Sequence, residues 1–290
     1  AHPAHPLSRR RAGHERRDGR AEAARRRALR IITDSSGARS QITAVRGSTA
    51  LRWACVRDVC CLRAADVRSG YPNKNAQPSS THSAVIEAED LLALLDAWGL
   101  GSVHLVASSY GAFTALALAV AHPYRVRSLV AVEPAMLCYA EFSASGRRTL
   151  ACFRKEVVEP ANAAFRRGDD ELGAALMTGG IHSAAAAPQG AALQRRLQSA
   201  RAMRMLALSS NEFPLLPPAA LAALPMPVLL LSGEETAPIH AGAFRNVCAA
   251  MPQAQVARVP QAGHGGSRDQ PPGFNTLALS FLATPRQTPG

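Results

Sequence analysis

Short runs of consecutive apolar residues alternate along this chain with longer stretches in which apolar residues recur at helical spacing. Short apolar runs bounded by turn residues are typical of buried strands, and we predict strands at 29–33, 41–45, 59–65, 103–106, 128–132, 228–231 and 255–259. Helical spacing predicts helices between residues 81 and 98, after residue 111, and at about 238–250 and 272–282. Strands that alternate with helices favour an α/β fold with a mostly parallel, doubly wound sheet.

One long segment interrupts this alternation and suggests the domain organisation. Residues 135–225 are predicted to be helical, are rich in Arg and Ala, and contain no strand pattern. We interpret them as a helical cap that is inserted over one end of the sheet. The core of the domain then consists of residues 29–134 and 226–284, and residues 1–28 form an Arg-rich leader without apolar periodicity that is expected to be disordered.

The net charge of the chain is large, but most of it lies in one segment. The net charge is +12, but the first 30 residues carry ten Arg and only three acidic residues, so +7 belongs to them. The remaining 260 residues carry +5, which gives no basic face of the kind that nucleic-acid binding requires. We therefore predict no nucleic-acid partner, and the 290 residues suffice for one large buried core.

Other sequence features bear on location and cofactors. No apolar run approaches the roughly 20 residues that span a bilayer, and the N-terminus has no apolar signal region, so we predict a cytoplasmic protein without membrane contact. The six cysteines show no C-x-x-C spacing and are expected to be reduced thiols. Since no zinc spacing, glycine-rich phosphate loop or flavin signature is present, we expect no metal and no cofactor.

The strongest chemical signal lies where the strand predicted at 103–106 meets the following helix. The sequence Ala107-Ser108-Ser109-Tyr110-Gly111 matches the nucleophile-elbow pattern G-x-S-x-G, with alanine at the first glycine position. Such a turn needs small residues two positions before and after the serine, because larger side chains would collide with the strand and the helix. It also presents the serine hydroxyl beside a helix N-terminus, which favours a developing negative charge. Ser109 is therefore the candidate nucleophile.

Four further stretches, in a fixed order along the chain, carry a resemblance to a known family. They are Asp66-Val67-Arg68-Ser69-Gly70-Tyr71, the acidic helix around Glu89-Asp90, His122-Pro123-Tyr124-Arg125-Val126, and Val259-Pro260-Gln261-Ala262-Gly263-His264. Together with the elbow, they make residues 66 to 282 resemble the capped, serine-nucleophile branch of the alpha/beta-hydrolase superfamily. The resemblance implies the alpha/beta-hydrolase fold, with its inserted helical cap, and nucleophilic acyl transfer.

A serine hydroxyl needs a base to accept its proton and an acid to orient that base. The resemblance implies the chain order serine, acid, histidine, which makes His264 the base. The family most often carries its acid after the strand at 228–231, where this chain has Thr236. We favour Glu133, which follows the strand at 128–132, as the acid, and Glu235 is the alternative. Further alternatives are that Glu234 or Asp269 supplies the acid, or that no acid is present.

The resemblance also implies an oxyanion hole and a class of substrate. One donor is expected to be the backbone N–H of Tyr110, and the other is expected in the loop containing Gly47 and Ser48. We predict a hydrolase that acts on small, mostly apolar esters or related acyl compounds, with C–C hydrolysis or acyl transfer as variants. The alternative is a non-catalytic or degraded relative that binds a small ligand.

Overall fold

The structure, a computed structural model, describes residues 52–56, 59–63, 82–97, 99–182, 194, 197 and 200–283. The Arg-rich leader, the strands predicted at 29–33 and 41–45, and the loop with Gly47 and Ser48 lie outside the described residues. Within the described ranges, no helix combines the length and the apolarity needed to cross a membrane.

A six-stranded sheet forms the centre of the described part of the chain. Its strands are β1 (Arg52–Val56), β2 (Val59–Arg63), β3 (Val103–Ser108), β4 (Val126–Val132), β5 (Val228–Gly233) and β6 (Gln255–Val259), adjacent in chain order. The β2 to β6 pairings are parallel, and only β1 runs antiparallel to its neighbour β2. The prediction of a mostly parallel sheet is therefore confirmed.

The strand β1 was not expected from the sequence. The pattern indicated one apolar stretch at 59–65 and gave no strand at 52–56, whereas the structure pairs these two segments as a hairpin, with Val56 opposite Val59. A run of five residues shows too little periodicity to distinguish a strand from a short buried helical turn. The hydrogen bonds to β2 define this strand, and they depend on tertiary pairing.

Helices connect the strands and follow the last one. They are α1 (Ala84–Ala97), α2 (Tyr110–Ala121), α3 (Ala144–Phe153), α4 (Glu159–Arg166), α5 (Asp170–Ile181), α6 (Ala200–Ala207), α7 (Pro218–Ala222), α8 (Pro238–Ala250), α9 (Gly266–Asp269) and α10 (Pro271–Ala283). A π-helical turn over Arg154–Val158 joins α3 to α4, and 3₁₀ turns cover Pro123–Arg125 and Leu137–Phe142. The described residues between β4 and β5 thus contain α3 to α7, and their role as a cap remains a prediction.

Both faces of the sheet are covered, because successive side chains of a strand point to opposite sides. Leu129 and Leu230 lie in a buried cluster with residues of α1, α2 and α8. Their neighbours Val130 and Leu231 lie in a separate cluster with Phe281 of α10. The sheet is therefore doubly wound, as the sequence predicted. This arrangement leaves the carboxyl ends of β3 to β6 at one edge, where functional residues of parallel sheets usually lie.

One buried carboxyl group ties α1 to α2. Glu87 is 2% exposed; Thr114 Oγ1 donates to its Oε2 over 3.2 Å, and His82 Nε2 lies 3.1 Å from its Oε1. Burial raises the pKa of Glu87 above its ordinary value, and the hydrogen bond and charge of His82 oppose this only in part. The folded protein therefore holds this proton to a higher pH than the unfolded chain does.

We expect the replacement Glu87→Gln to change how stability depends on pH. A raised carboxyl pKa contributes stability that is complete below the unfolded pKa of about 4.3 and is lost as pH rises through the folded pKa. The melting temperature of Glu87→Gln, relative to the unsubstituted protein, should therefore increase from pH 4 to pH 8. Thermal melts at several pH values measure this, with Glu171→Gln, at an exposed position of α5, as the control. A constant difference across this range would contradict the assignment.

Candidate active site

Ser109 occupies a strained turn between β3 and α2. Its backbone has φ 55° and ψ −123°, a conformation that residues with a side chain rarely adopt and that costs about 1–3 kcal/mol. Three backbone hydrogen bonds hold it there. Ser109 N–H donates to the Val132 carbonyl over 2.8 Å, and the N–H groups of Ala135 and Phe113 each donate to the Ser109 carbonyl over 3.1 Å. The small residues Ala107 and Gly111 are buried on either side. The local structure is therefore the tight strand–turn–helix that the motif predicted.

His264 comes from the loop after β6 and lies against the serine. Its Nε2 is 2.9 Å from Ser109 Oγ, and the residue is 6% exposed. The loop is fixed by backbone contacts, since Gly263 N–H donates to Asp269 Oδ2 over 3.2 Å and Glu235 N–H donates to the Ala262 carbonyl over 2.9 Å. The imidazole thus has a defined position at hydrogen-bond distance from the hydroxyl group.

Glu133 completes a chain of three side chains. It follows β4 directly, has φ 41° and is 2% exposed. Its Oε2 lies 2.5 Å from His264 Nδ1, and its Oε1 accepts the Gly233 N–H over 2.8 Å. Because an ionised carboxylate only accepts hydrogen bonds, Nδ1 carries the proton and Nε2 is left to accept from Ser109. The serine, histidine and glutamate therefore form a continuous hydrogen-bonded chain at the carboxyl edge of the sheet.

The other candidate acids face elsewhere. Glu235 is exposed, and it approaches the histidine loop through its backbone N–H. Glu234 Oε2 accepts the N–H of Gln261 over 3.2 Å, and Asp269 serves the loop backbone as described above. Among the described residues, the carboxylate hydrogen-bonded to His264 is that of Glu133. The geometry therefore favours Glu133 over the alternatives.

Thr236 makes a contact that the sequence does not predict. In the sequence, this position is notable only because the usual aspartate is absent from it. In the structure its hydroxyl donates to Glu133 Oε2 over 2.7 Å, so the carboxylate has donors on both oxygens. The loop after β5 thus contacts the acid Glu133, and it contributes a hydrogen-bond donor at the position where the family pattern most often has the aspartate. The sequence signal for this contact is a hydroxyl residue at the usual acid position together with a glutamate directly after the neighbouring strand.

Replacing Thr236 by valine tests this contact. Valine has nearly the same shape and cannot donate, so Glu133 loses one hydrogen bond and holds His264 less firmly. A hydrogen bond to a charged group contributes about 1.5–3 kcal/mol, and we expect kcat to fall about tenfold or somewhat more. Thr276→Val, on the exposed surface of α10, is the control for steady-state kinetics. Unchanged kcat in a folded Thr236→Val would rule out the positioning role.

Two more histidines surround His264. The ring of His240, in the first turn of α8, stacks on it with a centroid separation of 3.9 Å and an interplanar angle of 18°. His182, directly after α5, contacts it edge to face at 5.9 Å. Burial, followed by the nearby charge of His264, lowers the pKa of His240 to about 3, so this ring is neutral near pH 7. Neither neighbour has a signal in the sequence, because the approach of these rings depends on tertiary packing.

The ligand atoms of Glu133, His240 and His264 lie within 4.8 Å of one another, which raises the question of a metal site. A metal ion binds an imidazole nitrogen in the plane of the ring, at about 2.0–2.1 Å for zinc. Two nearly parallel rings 3.9 Å apart cannot both meet that condition for one ion. Both nitrogens of His264 are also directed at protein partners. The three side chains therefore suit proton transfer better than metal binding.

Of the two predicted oxyanion-hole donors, the described residues include one, the backbone N–H of Tyr110. Tyr110 is the first residue of α2, so its backbone N–H has no acceptor within the helix and lies directly after Ser109. Its side chain is anchored, since the hydroxyl donates to the Glu212 carbonyl over 3.1 Å and the ring packs edge-on against Phe113 and Phe213. This anchoring fixes the start of the helix beside the nucleophile. The second donor remains a prediction.

Comparison with solved structures gives matches of low sequence identity. The carboxylesterase CesB from Bacillus subtilis is 23% identical, with 73% of this chain and 70% of that chain covered and a TM-score of 0.49. A hydrolase from Pseudomonas aeruginosa is 20% identical over 73% of this chain and 76% of its own, with a TM-score of 0.47. An esterase from Thermogutta terrifontis is 19% identical over 72% and 75%, with a TM-score of 0.46.

The match to a family model covers more of the chain than any single sequence motif does. The matching model is that of the alpha/beta hydrolase family, and the match extends over residues 38–277. It includes the elbow, the inserted helical segment and the histidine loop, and therefore all three members of the hydrogen-bonded chain. The extent of this match shows that the chain belongs to the alpha/beta hydrolase family.

Proposed function

We propose that the protein is a serine hydrolase that cleaves small, mostly apolar carboxylic esters or related acyl substrates through an acyl-enzyme intermediate. The observation that carries this proposal is the chain from Ser109 Oγ through His264 to Glu133, with distances of 2.9 Å and 2.5 Å. Nucleophile, base and orienting acid are the three parts that acyl transfer by a serine requires.

The chemistry follows from the positions of the protons. Ser109 Oγ attacks the substrate carbonyl carbon while its proton moves to His264 Nε2, and Glu133 stabilises the resulting imidazolium. The tetrahedral oxyanion accepts the N–H of Tyr110. It then collapses, the leaving alcohol takes the proton from Nε2, and the acyl group stays on Ser109. Water attacks this ester in the same way, and the carboxylic acid departs as Ser109 regains its proton.

The surroundings of His264 support a preference for apolar acyl groups. A buried cluster that includes Leu137, Phe153 and Ile239, the residue before His240, also packs against Ile181 and Phe213. Ile181 provides the carbonyl that His240 contacts, so this apolar cluster continues to the histidine pair. Apolar walls with few polar groups are typical of pockets for small organic ligands.

A panel of 4-nitrophenyl esters tests the proposed function. We expect turnover of acetate, butyrate and hexanoate esters, and much slower turnover of the succinate monoester, whose acyl chain carries a carboxylate. Each rate is compared with that of His264→Ala, so that hydrolysis at other surface groups is subtracted. A folded protein that hydrolyses none of these esters faster than His264→Ala would contradict the proposal and favour the ligand-binding relative.

A further inference from the structure

We propose that His240 is a positioning residue for His264, whose stacked ring fixes the plane of the imidazole that accepts the serine proton. The inference rests on the proposed function, because it assigns a task within the same site. It concerns a side chain that neither the elbow nor the histidine motif contains. The ring separation of 3.9 Å, the interplanar angle of 18° and the burial of both residues are the observations that carry it.

The need for such a residue follows from the hydrogen bonds of His264. Its Nδ1 bonds to Glu133 and its Nε2 to Ser109, on two sides of the ring. These two bonds define an axis through the imidazole, and rotation of the ring about that axis changes neither distance much. The bond from Cγ to Cβ limits such rotation, and contacts on the faces of the ring limit it further. His240 covers one face, and it therefore restrains the motion that the hydrogen bonds leave free.

His240 is itself held in place. Its Nε2 lies 3.1 Å from the Ile181 carbonyl at the end of α5, so this nitrogen donates, and its backbone belongs to the first turn of α8. The ring thus connects the inserted helical segment to the base after β6. His182, the next residue after Ile181, contacts His264 edge to face, which places the same end of α5 on the histidine pair.

A neutral ring is suited to this position. When His264 accepts the serine proton it becomes a cation, and a second cation stacked on it would oppose the reaction. Burial keeps His240 neutral, as its lowered pKa of about 3 indicates. A neutral aromatic face instead attracts a cation electrostatically. The stacked ring therefore orients the neutral base and tolerates the charged one.

Two substitutions separate the ring from the hydrogen bond. His240→Phe keeps a flat ring and removes the donor to Ile181, whereas His240→Gln keeps an N–H near the position of Nε2 and removes the ring. Because a small misplacement of a catalytic group can lower the rate about 10²-fold, we expect His240→Gln to lower kcat by about 10- to 100-fold with KM within about twofold. His240→Phe should retain at least about a third of kcat. His122→Gln, at the distant end of α2, is the control.

Proton NMR supplies a readout that does not depend on turnover. The Nδ1 proton between His264 and Glu133 should give a resolved low-field signal, which Glu133→Gln identifies by removing it. We expect the signal in the unsubstituted protein and in His240→Phe, and expect it to broaden or vanish in His240→Gln. Should His240→Gln melt below the assay temperature, His240→Leu takes its place as the ring-free variant.

The outcomes keep this inference separate from the proposed function. If all His240 variants hydrolyse esters at the rate of the unsubstituted protein and keep its low-field signal, His240 has no positioning role while the function stands. If His240→Phe loses kcat and His240→Gln keeps it, the hydrogen bond matters and the stacked ring does not, which also overturns the inference. If no protein hydrolyses esters, the proposed function fails, and the NMR comparison still decides whether His240 holds His264.

Discussion

Ester hydrolysis by Ser109→Ala is expected to fall to near background, on the order of 10⁵–10⁶-fold below the unsubstituted protein. The replacement removes the hydroxyl oxygen that is proposed to form the acyl-enzyme, and what remains is the stabilisation that the oxyanion donor and substrate binding provide. The fold should tolerate the change. Alanine also carries a Cβ, so the strained backbone at φ 55° is no worse, and one hydrogen bond of about 1 kcal/mol is lost.

Steady-state kinetics and thermal melts of the same sample measure the expected loss of turnover and the expected retention of stability. We expect the melting temperature of Ser109→Ala to stay within about 4 °C of the original value, since 1 kcal/mol shifts a protein of this size by a few degrees. Ser108→Ala is the matched control, because it alters the preceding serine, the last residue of β3, and should leave turnover nearly unchanged. Normal turnover by Ser109→Ala would refute the elbow assignment.

The second large effect is expected from Glu133→Gln, which should lower kcat about 10³- to 10⁴-fold. Glutamine has the same shape, but its amide N–H₂ donates where the carboxylate accepts. If the amide oxygen keeps the Gly233 N–H, the amide nitrogen faces His264 Nδ1. Nδ1 must then give up its proton, the proton moves to Nε2, and the imidazole can no longer accept from Ser109. The corresponding aspartate-to-asparagine change in a serine protease lowers kcat about 10⁴-fold for this reason.

Glu235→Gln is the control for this prediction, since it makes the same chemical change at an exposed position two residues after Gly233. We expect its kcat to stay within about twofold of the original. Steady-state kinetics on one ester, with folding checked by circular dichroism, compares the two variants. A larger loss in Glu235→Gln than in Glu133→Gln would assign the acid to the loop after β5.

Much of the site could be predicted because its parts have local signals. The elbow is a contiguous pattern, and the requirement for small residues around Ser109 is visible in the sequence. His264 lies in a loop between two glycines after a strand, at the place that the family pattern indicates. Glu133 could be favoured because Thr236 stands where the usual aspartate is expected, and because Glu133 directly follows a parallel strand that ends at the same sheet edge as the serine. The elbow needed only a local pattern, His264 needed the family pattern, and Glu133 needed both the family pattern and the direction of the strands.

The rest depends on contacts between segments far apart in the chain. Thr236 and Glu133 are separated by 103 positions, and whether a hydroxyl in one loop meets a carboxylate in another depends on how far each loop extends. The stacking of His240 on His264 depends on the angle at which α8 leaves β5. The strand β1 likewise exists through its pairing with β2. Such features are decided by packing, which the apolar pattern does not encode at the level of single side chains.

The proposed function depends on activation of Ser109 by His264, and labelling with a fluorophosphonate probe reports this activation. The probe phosphonylates an activated serine and reports neither substrate preference nor product release. We expect one label per chain, located on Ser109 by peptide mass spectrometry, and loss of labelling in both Ser109→Ala and His264→Ala. A folded, unsubstituted protein that does not react with the probe, or labelling that persists in Ser109→Ala, would contradict it.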